Sequence, residues 1–124
     1  MNALPQLRID APDAAARLLG MSDTDLDRVP FGVVEMDLDF RVLRYNAAES
    51  RYSGLPPARV VGRHFFLEVA PCADTPTVAG RYGRDGLDET LSYTFSLRMR
   101  PTAVTLRLLR PPGSQRMYLL VLWT

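Results

Sequence analysis

From Leu91 to Arg100 the chain alternates apolar and polar side chains: Leu91, Tyr93, Phe95, Leu97 and Met99 against Ser92, Thr94, Ser96, Arg98 and Arg100. A period of two sustained over about ten residues fits a pleated strand with one buried face. Pro101 interrupts the run, and Val104, Leu106 and Leu108 continue it as a second strand. Pro111-Pro112-Gly113-Ser114 then supplies a turn, and Met117 to Trp123 a last strand. That strand carries apolar residues on both faces, which assigns it a central place in a sheet.

Phe31 to Met36 reads as a further strand, Asp37-Leu38-Asp39-Phe40 as a turn, and Arg41 to Tyr45 as the strand pairing back. Asn46 can cap a short helix through Ala47, Ala48 and Glu49 before Gly54 and Pro56-Pro57 break the chain. Short turns follow, ending in the apolar Phe65-Phe66-Leu67-Glu68-Val69. Thr75-Pro76 is a start signal for a helix toward Tyr82, weakened by Gly80, Gly83 and Gly86. Ahead of the first strand, Pro12 opens a helix through Ala14 to Leu19 that stops at Gly20. Ser22 caps a second, with Asp23 and Asp25 in its first turn. Neither helix is long enough to stand alone in water. The sum is an α+β chain: a five-stranded antiparallel sheet, one face covered by short helices. We expect a single domain with residues 1–30 as an N-terminal helical cap and 31–124 as the core. The ligand position expected of such a fold is an apolar pocket between helices and sheet.

The composition removes several functions. There is one cysteine, Cys72, so no internal disulfide forms. All 15 basic residues are arginine, so no lysine-bound Schiff base is available. One histidine, His64, and one cysteine cannot make a zinc site without carboxylates. A net charge of +1 with scattered arginines gives no footprint for nucleic acid. No apolar stretch reaches the roughly 18 residues a membrane span needs. The first ten residues lack the pattern of a signal peptide, so a cytoplasmic location is expected.

Three residues stand out for chemistry. Cys72 follows Pro71 near a helix start, where a thiol can be reactive; an inert core thiol is the other reading. Glu49 lies four residues after Tyr45, a spacing that in a helical turn puts both on one face. A carboxyl beside a phenol in an apolar pocket is pushed toward its neutral form and can donate a hydrogen bond. The alternative is a solvated glutamate and a core tyrosine. His64, eight residues before Cys72, raises a thiol hydrolase, but no third orienting residue accompanies it.

Taken in order, several segments resemble the photoactive yellow proteins, blue-light sensors of the PAS fold. They are Phe31-Gly32, Tyr45-Asn46-Ala47-Ala48-Glu49, Val61-Gly62 with Phe65-Phe66, Val69-Ala70-Pro71-Cys72-Ala73-Asp74-Thr75-Pro76, Tyr93-Thr94-Phe95, and Met99 with Pro101-Thr102. The likeness covers about Phe31 to the C-terminus. It implies a PAS-like fold in which Cys72 carries p-coumaric acid (4-hydroxycinnamic acid) as a covalent thioester. Tyr45 and Glu49 would hydrogen-bond the phenolate oxygen, Glu49 being protonated in the dark. Ser53 stands where the family has a threonine bonded to the tyrosine. The backbone N–H of Cys72 would hold the thioester carbonyl, and Val69, Phe95 and Met99 would line the pocket. Signalling would follow from trans–cis isomerisation, proton transfer from Glu49 and loosening of the N-terminal cap. A downstream signalling protein is expected as partner, with the chain a monomer or weak dimer and not an enzyme.

The chain departs from the family at Leu55, where an arginine is common, and at Leu97, where a tyrosine is. The connection from Tyr82 to Leu91 is also shorter. The main alternative is a PAS-type ligand-binding or protein-interaction module that carries no covalent chromophore.

Overall fold

The computed structural model describes residues 7–97 and 100–123. Among them the strands form one antiparallel sheet: β1 (Gly32–Met36), β2 (Val42–Tyr45), β3 (Leu87–Leu97), β4 (Arg100–Arg110) and β5 (Met117–Trp123), in the order β2-β1-β5-β4-β3. β5 is the middle strand. Met117, Leu119 and Val121 enter the core on one face, and Tyr118 and Leu120 enter the core on the other. The period-two run from Leu91 to Leu97 lies in β3, which begins at Leu87, four residues ahead of the reading from alternation, while Arg100, read as the end of that strand, opens β4. Pro101 does not interrupt a strand: it lies within β4, opposite Ser96. Pairing of β4 with β5 starts only at Val104, so the missing N–H of proline falls where one side of the strand is unpaired.

One face of the sheet carries α3 (Ala47–Ser53) and a run of single helical turns. These include a one-turn π-helix over Phe65–Val69 and 3-10 turns over Pro71–Ala73 and Ala79–Gly83. The expected helix from Thr75 to Tyr82 is not formed. The Thr75 carbonyl instead accepts from both Val78 and Gly80, and Gly80 and Gly83 each weaken a helix by about 1 kcal/mol relative to alanine. Phe65, Phe66, Val78 and Tyr82 pack down onto Met36, Leu106, Leu108 and Leu119.

The other face carries α1 (Ala14–Leu19) and α2 (Asp23–Leu26). α1 begins after Asp13, so Pro12 precedes the helix rather than opening it. Ser22 caps α2, its Oγ accepting from the Asp25 N–H at 3.1 Å. Ala14, Leu18 and Leu26 are buried against Val33, Leu109, Tyr118 and Leu120. Each buried leucine contributes about 2 kcal/mol by removal from water.

Two arginines fasten this N-terminal segment to the sheet. Arg107 binds Asp88 through Nε and Nη2, both at 2.9 Å, and its Nη1 donates to the carbonyls of Ile9 and Ala11 at 2.8 and 2.6 Å. Arg44 donates to the carbonyls of Met21 and Leu18 at 2.7 and 2.9 Å and grips the fully buried Glu35 at 2.9 and 2.8 Å. Glu35 also accepts from Arg116 at 2.9 Å and Tyr118 at 2.8 Å. Arg44, Glu35 and Tyr118 lie side by side on β2, β1 and β5. Burial alone pushes the Glu35 carboxyl up. The hydrogen bonds from Arg44 and Tyr118, with the charges of Arg44 and Arg116, outweigh it and hold the pKa below its ordinary value.

Candidate functional site

On the α3 side of the sheet lies a small recess. Tyr45, Glu49, Ser53 and Cys72 supply its polar groups, and Leu55, Phe65, Val69, Ala70 and Phe95 its apolar wall.

Local structure explains each placement. Tyr45 is the last residue of β2, and Asn46 follows in extended conformation as the cap of α3. The Asn46 Oδ1 accepts from the N–H of Glu49 at 3.1 Å and of Val33 at 2.9 Å. Its Nδ2 donates to the carbonyls of Leu26 and Phe31 at 3.1 and 3.0 Å. The residue that starts α3 is thereby tied to α2, across the chain from the recess. At the far end Gly54 turns left-handed (φ 78°), a conformation that favours glycine. Ser53 then accepts from the Tyr45 hydroxyl at 2.9 Å and from the Leu55 N–H at 3.1 Å.

Glu49 is 3% exposed and rests against β1 where Gly32 leaves room. A Cβ at Gly32 would lie 2.0 Å from Glu49 Oε1. That oxygen accepts from Trp123 Nε1 at 2.8 Å. Burial pushes the Glu49 carboxyl up to about 7, against the opposing pull of the Trp123 hydrogen bond. Among the described residues no cation pairs with it. Burial, followed by the charge of Glu49, also raises the Tyr45 phenol, while its bond to Ser53 acts the other way. The site therefore holds a phenol O–H and a carboxyl whose raised pKa lets it carry a proton.

Cys72 is half-buried in the Pro71–Ala73 turn. Its carbonyl accepts from the Tyr93 hydroxyl at 2.8 Å, which anchors the turn to β3.

The recess brings together Cys72, Tyr45, Glu49, Ser53, Leu55, Val69 and Phe95. Met99 lies outside the described residues. The i to i+4 argument for Tyr45 and Glu49 does not hold, because the extended Asn46 separates strand from helix. The two side chains meet in the recess from different elements. His64 does not line it. Its Nδ1 accepts from the Leu67 N–H at 3.1 Å and its ring packs on Phe40, so no Cys–His pair forms. Trp123 was missed as a site residue. The signal was available, since alternation puts residue 123 on the face of Leu119 and Val121, where even a half-buried indole N–H needs an acceptor.

Comparison with known proteins first defines the class: a family model described as the PAS fold matches residues 26–123. Among solved structures, the photoactive yellow protein domain of the sensor histidine kinase Ppr from Rhodospirillum centenum superposes with a TM-score of 0.78. It is 35% identical, over 86% of this chain and 96% of that one. The photoactive yellow protein of Halochromatium salexigens is 38% identical over 96 residues, 74% of this chain and 77% of that protein. That of Rhodothalassium salexigens is 32% identical over 112 residues, 86% and 89% of the two. The chain belongs to the photoactive yellow protein family. It is a PAS-fold photoreceptor, a sensor rather than an enzyme. Among the described residues no helix is long and apolar enough to cross a membrane.

Proposed function

We propose that the chain senses blue light through p-coumaric acid held as a thioester on Cys72. The observation that carries this reading is the recess itself. It unites the chain's one thiol with a phenol and a carboxyl that, among the described residues, has an indole but no cation for company. That donor set fits a flat, apolar group with an anionic oxygen at one end and an acyl carbon at the other. When bound, the chromophore supplies absorption of blue light and trans–cis isomerisation.

The protein's own residues do the rest. Protonated Glu49, and Tyr45 once its hydroxyl turns from Ser53 toward the ligand, would be two O–H donors for a buried phenolate, which is costly in an apolar site unless such bonds satisfy it. The backbone N–H of Cys72 would hold the thioester carbonyl. Leu55, Phe65, Val69 and Phe95 keep water from the ring. Loss of the Glu49 proton leaves a buried carboxylate without a cation, at a cost of several kcal/mol. That is large against a domain stability of roughly 5–15 kcal/mol. Asn46 joins the helix that carries Glu49 to the carbonyl of Leu26, so strain in α3 reaches the N-terminal segment. Loosening of that segment is the output we propose, to be read by a downstream signalling protein.

The test is reconstitution of the purified chain with activated p-coumaric acid. The product should gain the mass of one hydroxycinnamoyl group, absorb in the visible blue and bleach reversibly. A bare chain under those conditions, or an unchanged colour in Cys72→Ala, overturns the reading in favour of an ordinary PAS binding module.

A further inference from the structure

The hydrogen bond from Trp123 to Glu49 joins residues 74 positions apart. The indole is the C-terminal end of β5 and is packed on three sides of interest. Tyr52 stacks on it at 5.4 Å and 17°, Phe95 lies at 5.6 Å, and the Nε1–H points at Glu49 Oε1. Tyr52 is itself 50% exposed, so the stack places an aromatic layer between solvent and the carboxyl. On the other side the bare backbone of Gly32 presses against the same oxygen. Glu49 Oε1 is thus held from two directions.

An indole N–H donates and cannot accept. The carbonyl oxygen is the better acceptor in a neutral carboxyl, so a bond to Oε1 favours the proton on Oε2. When that proton leaves, the same N–H becomes a charge-assisted donor, the stronger kind of hydrogen bond. Among the described residues Trp123 is the one donor to the Glu49 side chain.

We propose that Trp123 is the positioning residue of the proton donor: it fixes the Glu49 proton on Oε2 and remains as the hydrogen-bond partner of the carboxylate after the proton has gone. The O–H bond at Oε2 breaks, the proton passes to the oxygen anion that Glu49 faces, and no electrons are exchanged. This rests on the proton-donor role given to Glu49 in the proposed function, but the pairing itself is testable without any chromophore.

Trp123 is the only tryptophan, so its indole resonance in a ¹⁵N-labelled chain is an unambiguous reporter. In the unloaded chain that resonance should move with pH, with a midpoint near the value of about 7 that burial gives Glu49. In Glu49→Gln it should be flat with pH while the chain stays folded. Trp123→Phe keeps the ring and removes the N–H. It should raise the Glu49 midpoint, read from the carboxyl ¹³C resonance, by about one pH unit, a tenfold change in acidity. After reconstitution, the pH profile of colour recovery in Trp123→Phe should move upward by the same amount.

An indole resonance that ignores both pH and Glu49→Gln overturns the pairing, and this wild-type measurement decides even if Trp123→Phe does not fold. A chain that shows the coupled titration but is never acylated overturns the proposed function and leaves the Trp123–Glu49 pairing standing. A loaded protein that bleaches normally while Trp123→Phe leaves the Glu49 midpoint unmoved overturns the positioning role alone.

Discussion

Glu35 and Glu49 are both buried, at 0% and 3% exposure; Glu35 stands on β1 and Glu49 packs against it, on opposite faces of the sheet. Glu35 stands among Arg44, Arg116 and Tyr118 and has its pKa held below the ordinary value. Glu49 has one indole N–H, and burial lifts it to about 7. Desolvation acts upward on both; the hydrogen bonds from Arg44 and Tyr118, with the charges of Arg44 and Arg116, decide the outcome at Glu35. The one becomes a fixed anion that binds the N-terminal segment to the sheet through Arg44. The other becomes a proton store beside the recess. In the proposed function the two play different parts: a bond that stays closed and a group that can change charge.

The largest effect should come from removing the fixed anion. Glu35→Ala leaves Arg44 and Arg116 without their shared carboxylate, and breaking a buried pair from one side costs about 3–5 kcal/mol. Urea unfolding at pH 7 measures it. A loss below about 1 kcal/mol would show that Glu35 is not the joint it looks to be. The N-terminal segment should also become more open to protease, because the Arg44 bonds to the carbonyls of Leu18 and Met21 lose their anchor.

The two carboxylates should tilt the stability curve in opposite directions. Glu35 has a lowered folded pKa, so its contribution is present above the ordinary carboxylate range and is lost as pH falls through the folded value. Glu49 has a raised one, so the folded chain holds its proton longer than the unfolded chain does. Stability therefore falls as pH rises from 4.5 to about 7 and then levels. The span corresponds to about 3 kcal/mol. In the unloaded chain Glu49→Gln should abolish this fall and become the more stable protein at pH 8 relative to pH 5. Unfolding titrations at the two pH values decide it. A wild type as stable at pH 8 as at pH 5 would place a cation near Glu49 that the structure does not show.

The sheet was legible because its signals are local. Alternation from Leu91 announced β3, and apolar residues on both faces of Met117 to Trp123 put β5 in the middle. Ser22 and Asn46 were readable as caps because a cap bonds within three residues. The joints between elements were not. Glu35, Arg44 and Tyr118 come from three strands, and nothing in their spacing announces the cluster. The Trp123 bond to Glu49 is of the same kind. The Thr75-Pro76 signal misled because the glycines set against it outweigh local start chemistry. Tyr45 and Glu49 were brought together for a wrong reason, a shared helix face, since the extended cap residue between them ends any helical register.

Asn46→Ala should have an intermediate effect and separates the two faces differently. It removes the cap of α3 and both bonds to the carbonyls of Leu26 and Phe31, with an expected loss of about 2 kcal/mol. Hydrogen exchange should speed up in both α2 and α3. Acceleration in α3 alone would mean that Asn46 caps the helix without coupling it to the N-terminal segment.

The smallest expected change in stability is also the most selective. Gly32→Ala puts a methyl 2.0 Å from Glu49 Oε1 and 3.2 Å from its Cβ. The carboxyl is the far end of a flexible side chain and can swing away, so the loss should be about 1–2 kcal/mol. Swinging away breaks the bond to Trp123 and alters the burial that keeps Glu49 neutral. A shifted Glu49 midpoint in Gly32→Ala, with the Glu35 side of the sheet undisturbed in exchange measurements, would locate the proton store in the contact between β1 and α3. If the midpoint stays near 7, burial by the wider pocket rather than this contact sets the charge of Glu49.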